Sequence, residues 1–440
     1  MARHILILAL LTSLVCVAQN AQVSAAPANP QQTSPPLTLT LQDALARARN
    51  NSPQFLSALT DAALAHEDRV QVRAGLLPTV TYNNEYLYTQ GNGTSSGRYI
   101  ANNAVHEYVS QGNAHELIGV AQFADYRRAS AAEELARARA EVARRGLVVT
   151  VVQNFYGLAA AQRKYSTFQA AVQEASRFFD ISQKLEQGGE VAHSDVIKAQ
   201  LQLNDRRRDL REGEVAMERA RLDLAVLLFP DFNLNFTVVD DFRLEQPLPT
   251  SEEVEIAAKQ NNPELAAALA ALRQSQAELS AARASYLPSL TLDYFYGIDA
   301  THFAVNTDGV RNLGYAAAAT LNIPIWNWGA THSKVKQGLL RTRQAQIELS
   351  AAQRKLLADL RGLYFEAQAA HEELDLLHNS ADLAAQSLKL TTLRYQGGEA
   401  TVLEVVDAQN TVTTARNAYD DGEVRYEVAL ANLQTLTGKF

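Results

Sequence analysis

The sequence predicts a mainly α protein with a small β part, built twice from one supersecondary unit of long antiparallel coiled-coil helices and a strand pair. Three observations carry this. The first is a duplication: Asn51, Pro53, Leu77, Pro78, Thr81 and Tyr86 recur as Asn261, Pro263, Leu287, Pro288, Thr291 and Tyr296, a constant offset of 210 residues. Gln187-Gly188-Gly189-Glu190 recurs as Gln396-Gly397-Gly398-Glu399 at an offset of 209. Solenoid repeats have periods of about 20–50 residues, so here one whole unit has been copied once. The second observation is a long proline-free stretch before each Gly-Gly pair. The third is strand-like alternation after each Leu-Pro pair.

Taken in order, the chain begins with Arg3 and His4, an apolar run from Ile5 to Ala18, and small residues ending in Val23-Ser24-Ala25. This predicts a secretory signal peptide over 1–25. The run is shorter than the about 20 apolar residues a spanning helix needs. Cys16 is the only cysteine and lies inside this segment, so disulfides and cysteine–metal sites are excluded from the mature chain. Val15 stands where lipid attachment to Cys16 would want a small residue. Residues 26–39, rich in Pro and Gln, read as a flexible lead-in. The first repeat then covers 40–229, a linker 230–249, and the second repeat 250–440.

Thr40-Leu-Gln-Asp43 and Thr250-Ser-Glu-Glu253 read as capping boxes that open equivalent helices. Each helix is expected to run unbroken to Leu77-Pro78 or Leu287-Pro288, where proline stops it. Beyond these pairs Val80, Tyr82, Tyr86 and Tyr88 share one parity, against Thr79, Thr81, Asn83 and Glu85. In the second copy Leu290, Leu292, Tyr294, Tyr296 and Ile298 oppose Ser289, Thr291 and Asp293. Polar loops (91–103 and 299–312) lead to return strands. The second return strand, from Leu313 to Ile323 and including Leu321, alternates well. The first, near Val105 to Gln111, is short.

A helix of roughly 65 residues, about 100 Å long at 1.5 Å per residue, is predicted from about Ala121 to Gln187. Its seam is Val151, Phe155, Leu158, Gln162, Tyr165, Phe168, Val172, Ala175 and Phe179. Adding 209 gives Leu360, Tyr364, Ala367, His371, Leu374, Leu377, Ala381, Ala384 and Leu388, with the same spacing and the same break in the heptad. Shorter helices return over 191–229 and 400–437.

Forty basic against 48 acidic residues give a formal charge of −8, with arginines interleaved among acids, so nucleic acid is not an expected partner. No apolar stretch after the signal reaches spanning length, so any membrane crossing must use strands. Two strand pairs per chain are too few to close, since known barrels start at about eight strands. Open edges in lipid would leave backbone groups unsatisfied. A homotrimer resolves this with twelve strands and twelve helical columns.

The pattern resembles the TolC family of outer-membrane efflux ducts over nearly the whole mature chain. The likeness rests on the twofold repeat, Asn-Asn-Pro-Glu-Leu at 261–265 with its partner at 51–55, and the Leu-Pro helix ends. It also rests on Pro324-Ile-Trp-Asn-Trp-Gly329 at the strand-to-helix corner and on the stretch from Tyr395 to Gln409 at the helical turn. Copy one carries Gly112-Asn-Ala-His-Glu-Leu117 in place of the Pro-aromatic corner. The resemblance implies a homotrimer: one 12-stranded transmembrane β-barrel in the outer membrane and a long α-helical barrel in the periplasm. Strand parity then sets Tyr82, Tyr86, Leu292, Tyr296 and Leu321 toward lipid and Thr81, Thr291 and Asn322 toward the lumen. Its function would be the exit duct of a tripartite efflux or type I secretion system, fed by an inner-membrane pump and a periplasmic adaptor (membrane fusion) protein.

By the same resemblance the helical turns form the periplasmic tip, with Gly188, Gly189, Asp195, Gly397 and Gly398 at the turns and the adaptor contact. Tyr395, Glu404 and Asp407 take the positions of the aperture and its gate. Ala400 stands where some members carry an arginine in their closing network. Glu404 and Asp407 lie three apart, so a trimer gathers six carboxylates, and crowding of like charges is expected to raise some of their pKa values.

The alternative is a periplasmic coiled-coil adaptor or scaffold without a pore, which leaves the two tyrosine-bearing strand pairs unexplained. An enzyme is not expected. No Ser/His/Asp arrangement stands out, the histidines lack metal-ligand spacing, and Gly91–Gly97 lacks the lysine of a phosphate loop. No cofactor and no metal are expected.

Overall fold

The computed structural model describes residues 37–88, 106–231, 235–239, 248–307 and 309–438. The signal segment, most of the lead-in, Gly91–Gly97 and Phe440 lie outside these residues. The first repeat contains β1 (Leu37–Leu39), α1 (Leu41–Asn51), α2 (Pro53–Ala74), β2 (Thr79–Tyr88), β3 (His106–Gly119), α3 (Val120–Gln187) and α4 (His193–Leu228). After β4 (Phe236–Val238), the second contains α5 (Ser251–Asn261), α6 (Pro263–Ala284), β5 (Ser289–Ala300), a two-residue hairpin β6 (Asn306–Thr307) and β7 (Val310–Arg311), β8 (Leu313–Asn322), α7 (Ala330–Gln396) and α8 (Val402–Thr437).

The capping boxes at Thr40–Asp43 and Thr250–Glu253 form as the sequence predicts. The helices they open do not run unbroken. Pro53 and Pro263 lack an N–H and push the preceding residue out of the helical region. Ser52 and Asn262 accordingly adopt ψ of 116° and 122°, ending one helix and capping the next. The break has a use. Asn51 Nδ2 donates to the carbonyl of Leu228 at 2.7 Å, and Asn262 Nδ2 donates to that of Leu436 at 3.4 Å. Each bond satisfies an orphan carbonyl at the end of a returning helix. Thus α4 and α2 stack end to end as one column, and α8 and α6 as another.

These columns flank the two continuous helices. Near the sheet the order is α2, α3, α6, α7; toward the Gly-Gly turns it is α4, α3, α8, α7. At 68 residues, α3 spans about 100 Å. The seam is buried at Val151, Phe155, Leu158, Ala175, Leu360, Ala367, Leu374, Ala381 and Ala384. At its lower end Phe178, rather than Phe179, is the more deeply buried. Phe168 and Leu377 each press against a helical glycine on the returning helix, Gly213 and Gly422, where an added Cβ would lie 2.5 and 2.6 Å from the side chain.

The lead-in is not loose to its end. Leu37–Leu39 pairs in parallel with β4, and Leu39 and Phe236 enter the largest core, with Phe155, Leu158 and Leu224. Burial of Leu39, Phe236 and Val238 holds the pair in place, while Leu37 and Thr38 stay exposed.

The four long strands form one antiparallel sheet ordered β2-β3-β5-β8. The Gly112–Leu117 segment, read from sequence as a corner, is strand throughout: β3 continues to Gly119 and passes directly into α3. Gly119 lets the two meet, since a Cβ there would lie 3.2 Å from that of Ser289 on β5. Among the described residues no helix is long and apolar enough to cross a membrane.

Each Gly-Gly turn uses its glycines unequally. Gly188 and Gly397 are right-handed, whereas Gly189 and Gly398 have φ of 75° and 76°. A side chain in that region costs roughly 1–2 kcal/mol. Gly398→Ala should therefore lower stability by about that amount, and Gly397→Ala much less. Thermal unfolding of the two variants compares them directly.

Midway along the coiled coils, α8 sets Asp420 and Glu423 against α3, where Arg163 pairs with both and Lys164 reaches Asp421 at 2.5 Å. Burial pushes the Asp420 carboxyl up to about 6, against the pull of Arg163 and Lys164 and aided by Glu423 and Asp421. Burial also raises the Tyr419 hydroxyl to about 12. A carboxyl raised in the folded state favours folding most below its unfolded pKa, and the benefit is lost as pH rises through the folded one. Asp420→Asn should therefore stabilise the chain at pH 8, by on the order of 1–2 kcal/mol. The gain should disappear below about pH 4, as melting curves across pH would reveal.

Candidate functional site

Two regions carry the sequence-predicted residues: the sheet and the Gly-Gly end of the helices. Cross-strand partners share a face of the sheet. The register sets Tyr82 opposite Gly112, Gly112 opposite Tyr296, and Tyr296 opposite Tyr315. Tyr86 pairs with Tyr108, Leu292 with Glu116 and Ala319, and Leu321 with Leu290. Tyr82, Tyr86, Leu292, Tyr296 and Leu321 consequently lie on a single face, and all five are exposed in the protomer. Tyrosine rings pair along it, Tyr86 with Tyr108 at 4.9 Å and Tyr294 stacked on Tyr315 at 6.1 Å. Polar groups on this face bond to one another: the Tyr82 hydroxyl meets Ser110 Oγ at 2.8 Å, and Ser110 Oγ donates to Asn84 Oδ1. Glu116 is the acidic exception, near the end where β3 enters α3.

The opposite face presents Thr79, Thr81, Asn83, Glu85, Asn113, Thr291, Thr320 and Asn322. It also carries His115, whose Nδ1 lies 2.7 Å from Asp293 Oδ1. At the β8-to-α7 corner Ile325, Trp326 and Trp328 are all exposed, Trp328 at 89%. Trp328 has φ of 54° and Gly329 of 82°, a left-handed pair that turns the chain from strand to helix. Exposed tryptophans at the end of an apolar sheet face are the pattern of a membrane–water interface.

At the helical end Tyr395 is only 3% exposed. Its ring packs on Phe178 at 5.0 Å and its hydroxyl lies 3.1 Å from Ser182 Oγ, so it ties α7 of one repeat to α3 of the other. Val402, Val405 and Ala199 complete this core. Glu404 is the third residue of a capping box the sequence reading passed over, although Thr401-x-x-Glu404 repeats the signal seen at 40 and 250. Its carboxylate accepts from the Thr401 N–H at 3.1 Å and the Thr401 hydroxyl at 3.2 Å.

Arg394, one residue before Tyr395, reaches back across the turn to Glu404 at 3.5 Å and to the Glu399 carbonyl at 3.0 Å. In the protomer the hydrogen bonds from Thr401 hold the Glu404 carboxyl below the usual range, aided by Arg394. The crowding expected to raise it arises only between copies. Asp407 is exposed one turn further along α8, and Asp195 pairs with Lys198 at 3.3 Å on α4. Copy one has no side-chain cap at this turn, because Ala192 stands at the cap position. Among the described residues no group of His, Cys, Asp and Glu could hold a metal ion.

This geometry agrees with comparisons to known proteins. TolC of Vibrio cholerae serotype O1 is 22% identical over 396 residues, covering 89% of each chain. TolC of Escherichia coli K12 is 21% identical over 412 residues, covering 89% of this chain and 80% of that one. The crystal structure of the Campylobacter jejuni CmeC outer membrane channel superposes with a TM-score of 0.81 at 17% identity, over 91% of this chain and 85% of that chain. The family model for outer membrane efflux proteins matches residues 44–228 and 257–439, so both repeats are accounted for. The chain belongs to the outer membrane efflux protein family.

Proposed function

We propose that three copies of this chain form an exit duct in the outer membrane, passing substrates handed over by an inner-membrane pump across the periplasm to the outside. The observation that carries the reading is the pair of open flanks. β2 and β8 are the edges of the sheet. The end columns below them expose apolar side chains: Leu376, Leu383 and Leu390 at heptad spacing on α7, against Ile197 and Leu201 on α4 and Leu56 on α2. A head-to-tail contact between unlike flanks closes into a ring when the rotation permits. Three copies of four strands make twelve, enough for a barrel, with Tyr82, Tyr86, Leu292, Tyr296 and Leu321 toward lipid and the polar face toward the lumen.

A periplasmic scaffold without a pore would have no use for a sheet with one tyrosine-rich apolar face and two open edges. The turns at Gly188–Gly189 and Gly397–Gly398, with Asp195 beside them, would then be the periplasmic tip that meets an adaptor. Tyr395 would brace the tip core, and Glu404 and Asp407 would line its opening. The chain acts as a conduit and contributes no catalytic step.

Two measurements test this. Native mass measurement in detergent should give three chains; a functional monomer or dimer would overturn the closure. Single-channel recordings in planar bilayers should show cation preference. Glu404→Gln with Asp407→Asn should reduce that preference and weaken block by multivalent cations while the trimer persists, because glutamine retains an acceptor for the capping box. Because Thr401 holds the Glu404 pKa low, the wild-type preference should persist into mildly acidic solution. Unchanged selectivity in the double variant would return both acids to a solvated helix face.

A further inference from the structure

Above the Tyr395 core, α3, α7 and α8 enclose a groove of about 420 Å³. That volume lies within the about 300–1,000 Å³ of small-molecule sites, and spaces between bundled helices are one of their usual places. Its walls mix small apolar side chains, Ala170 and Ala171 from α3, Ala385 and Leu388 from α7 and Val412 from α8, with the hydroxyls of Thr167, Thr392 and Thr413. Leu388 also packs on the tip core, so the floor of the groove is continuous with it.

Among the described residues, three polar groups of the groove lack an ion-pair or hydrogen-bond partner: one amide oxygen and two cations. Gln409 lines the groove and is 7% exposed, and its Oε1 has no hydrogen-bond partner. A buried amide oxygen in that state favours a ligand that brings a donor, and its soft terminal torsion allows it to turn toward one. Lys389 and Arg416 stand at the rim, and among the described residues neither makes an ion pair. The acid on the opposite wall, Glu174, is already engaged by Arg177 at 3.2 Å.

The pairing of cations belongs to the second copy alone. Subtracting 209 places Asp180 where Lys389 stands and Arg207 where Arg416 stands, so the equivalent position in copy one opposes its charges.

We propose that this groove binds a small amphipathic organic anion that also carries a hydrogen-bond donor. The anion lies between Lys389 and Arg416, the apolar body covers the alanines and Val412, and the donor meets Gln409 Oε1. Such a molecule touches α3 of the first repeat and α7 and α8 of the second, bridging the two just above the tip. The site is a property of the single protomer and does not depend on the trimer or on transport.

The probe is 6-hydroxy-2-naphthoate, titrated by calorimetry against the full mature chain in lipid nanodiscs, with empty nanodiscs as the blank. Saturable binding of one molecule per chain is expected. Lys389→Gln with Arg416→Gln should weaken it by about 10- to 100-fold, while leaving the neutral analogue 6-hydroxynaphthalene-2-methanol unaffected. Gln409→Leu should abolish the advantage of hydroxynaphthoate over 2-naphthoate, which lacks the donor. Ala385→Leu should block the groove. The rim variants touch no buried contact, so they report even if the groove-filling variant folds poorly. Absence of saturable binding, or binding indifferent to the charge and Gln409 variants, would overturn the proposal.

Discussion

Among the described residues, backbone N–H and C=O groups on the outer sides of β2 and β8 have no strand beside them, and in the duct proposed above, where these strands meet hydrocarbon, no water could take their place. An unsatisfied backbone group there costs several kcal/mol, so in that duct a ten-residue edge would have to be covered by another copy. That one constraint shapes the rest. It requires β2 and β8 to be matched in length, as both are at ten residues. The helices hang from the same strands in the same order, so whatever closes the sheet also sets the spacing of the columns. The apolar stripe on α7 and the exposed leucines on α4 and α2 belong to the same two flanks as the open edges.

Building the proposed ring from a duplicated unit demands that both repeats present equivalent surfaces, and small residues do much of this. Phe168 against Gly213 and Leu377 against Gly422 are the same knob in the same notch, 209 residues apart at both members. A methyl group at either glycine would meet the facing side chain well inside contact distance. The Asn51–Leu228 and Asn262–Leu436 bonds serve likewise at the column breaks. Proline interrupts the helix, and an asparagine one or two residues before it, Asn262 or Asn51, meets the carbonyl end of the helix below. Column length is thereby decoupled from helix length.

Much of this was legible in the sequence because duplication supplied an internal control. Strand parity, the long helices, the two capping boxes and the Gly-Gly turns were each seen twice at a fixed offset. The misreadings fall where only one copy speaks or where a partner is remote. Gly112–Leu117 looked like a corner because its counterpart is Pro324–Gly329, yet β3 continues through it, paired with both β2 and β5. The pairing of Leu37–Leu39 with Phe236–Val238 joins segments nearly two hundred residues apart, which no local pattern announces. The Ser52 and Asn262 breaks are written in Pro53 and Pro263, each of which ends the helix before it and opens the next. At the tip, the sequence placed Tyr395 but could not say that its hydroxyl meets Ser182. Arg394 was passed over because its contact with Glu404 needs the turn's geometry, not its spacing.

The two tips are where pseudo-symmetry is deliberately incomplete. In the second, Thr401, Glu404 and Arg394 lock the start of α8 to the end of α7 through a cap, a carboxylate and a guanidinium. In the first, Ala192 offers no side-chain cap, and the cross-turn contact is a single His193–Glu186 pair at 2.6 Å between two side chains, one of them widely exposed. A helix start without a side-chain cap gives up roughly 1 kcal/mol relative to a capped one. The α7–α8 hairpin is therefore the more rigid body at its end, and α3–α4 the more compliant. Tyr395 joins them through Ser182 and Phe178, with the rigid hairpin contributing the tyrosine and the compliant one the surface it rests on. Relative movement of the two repeats at the tip has to break that contact, while the turn beside Glu404 can move as a unit.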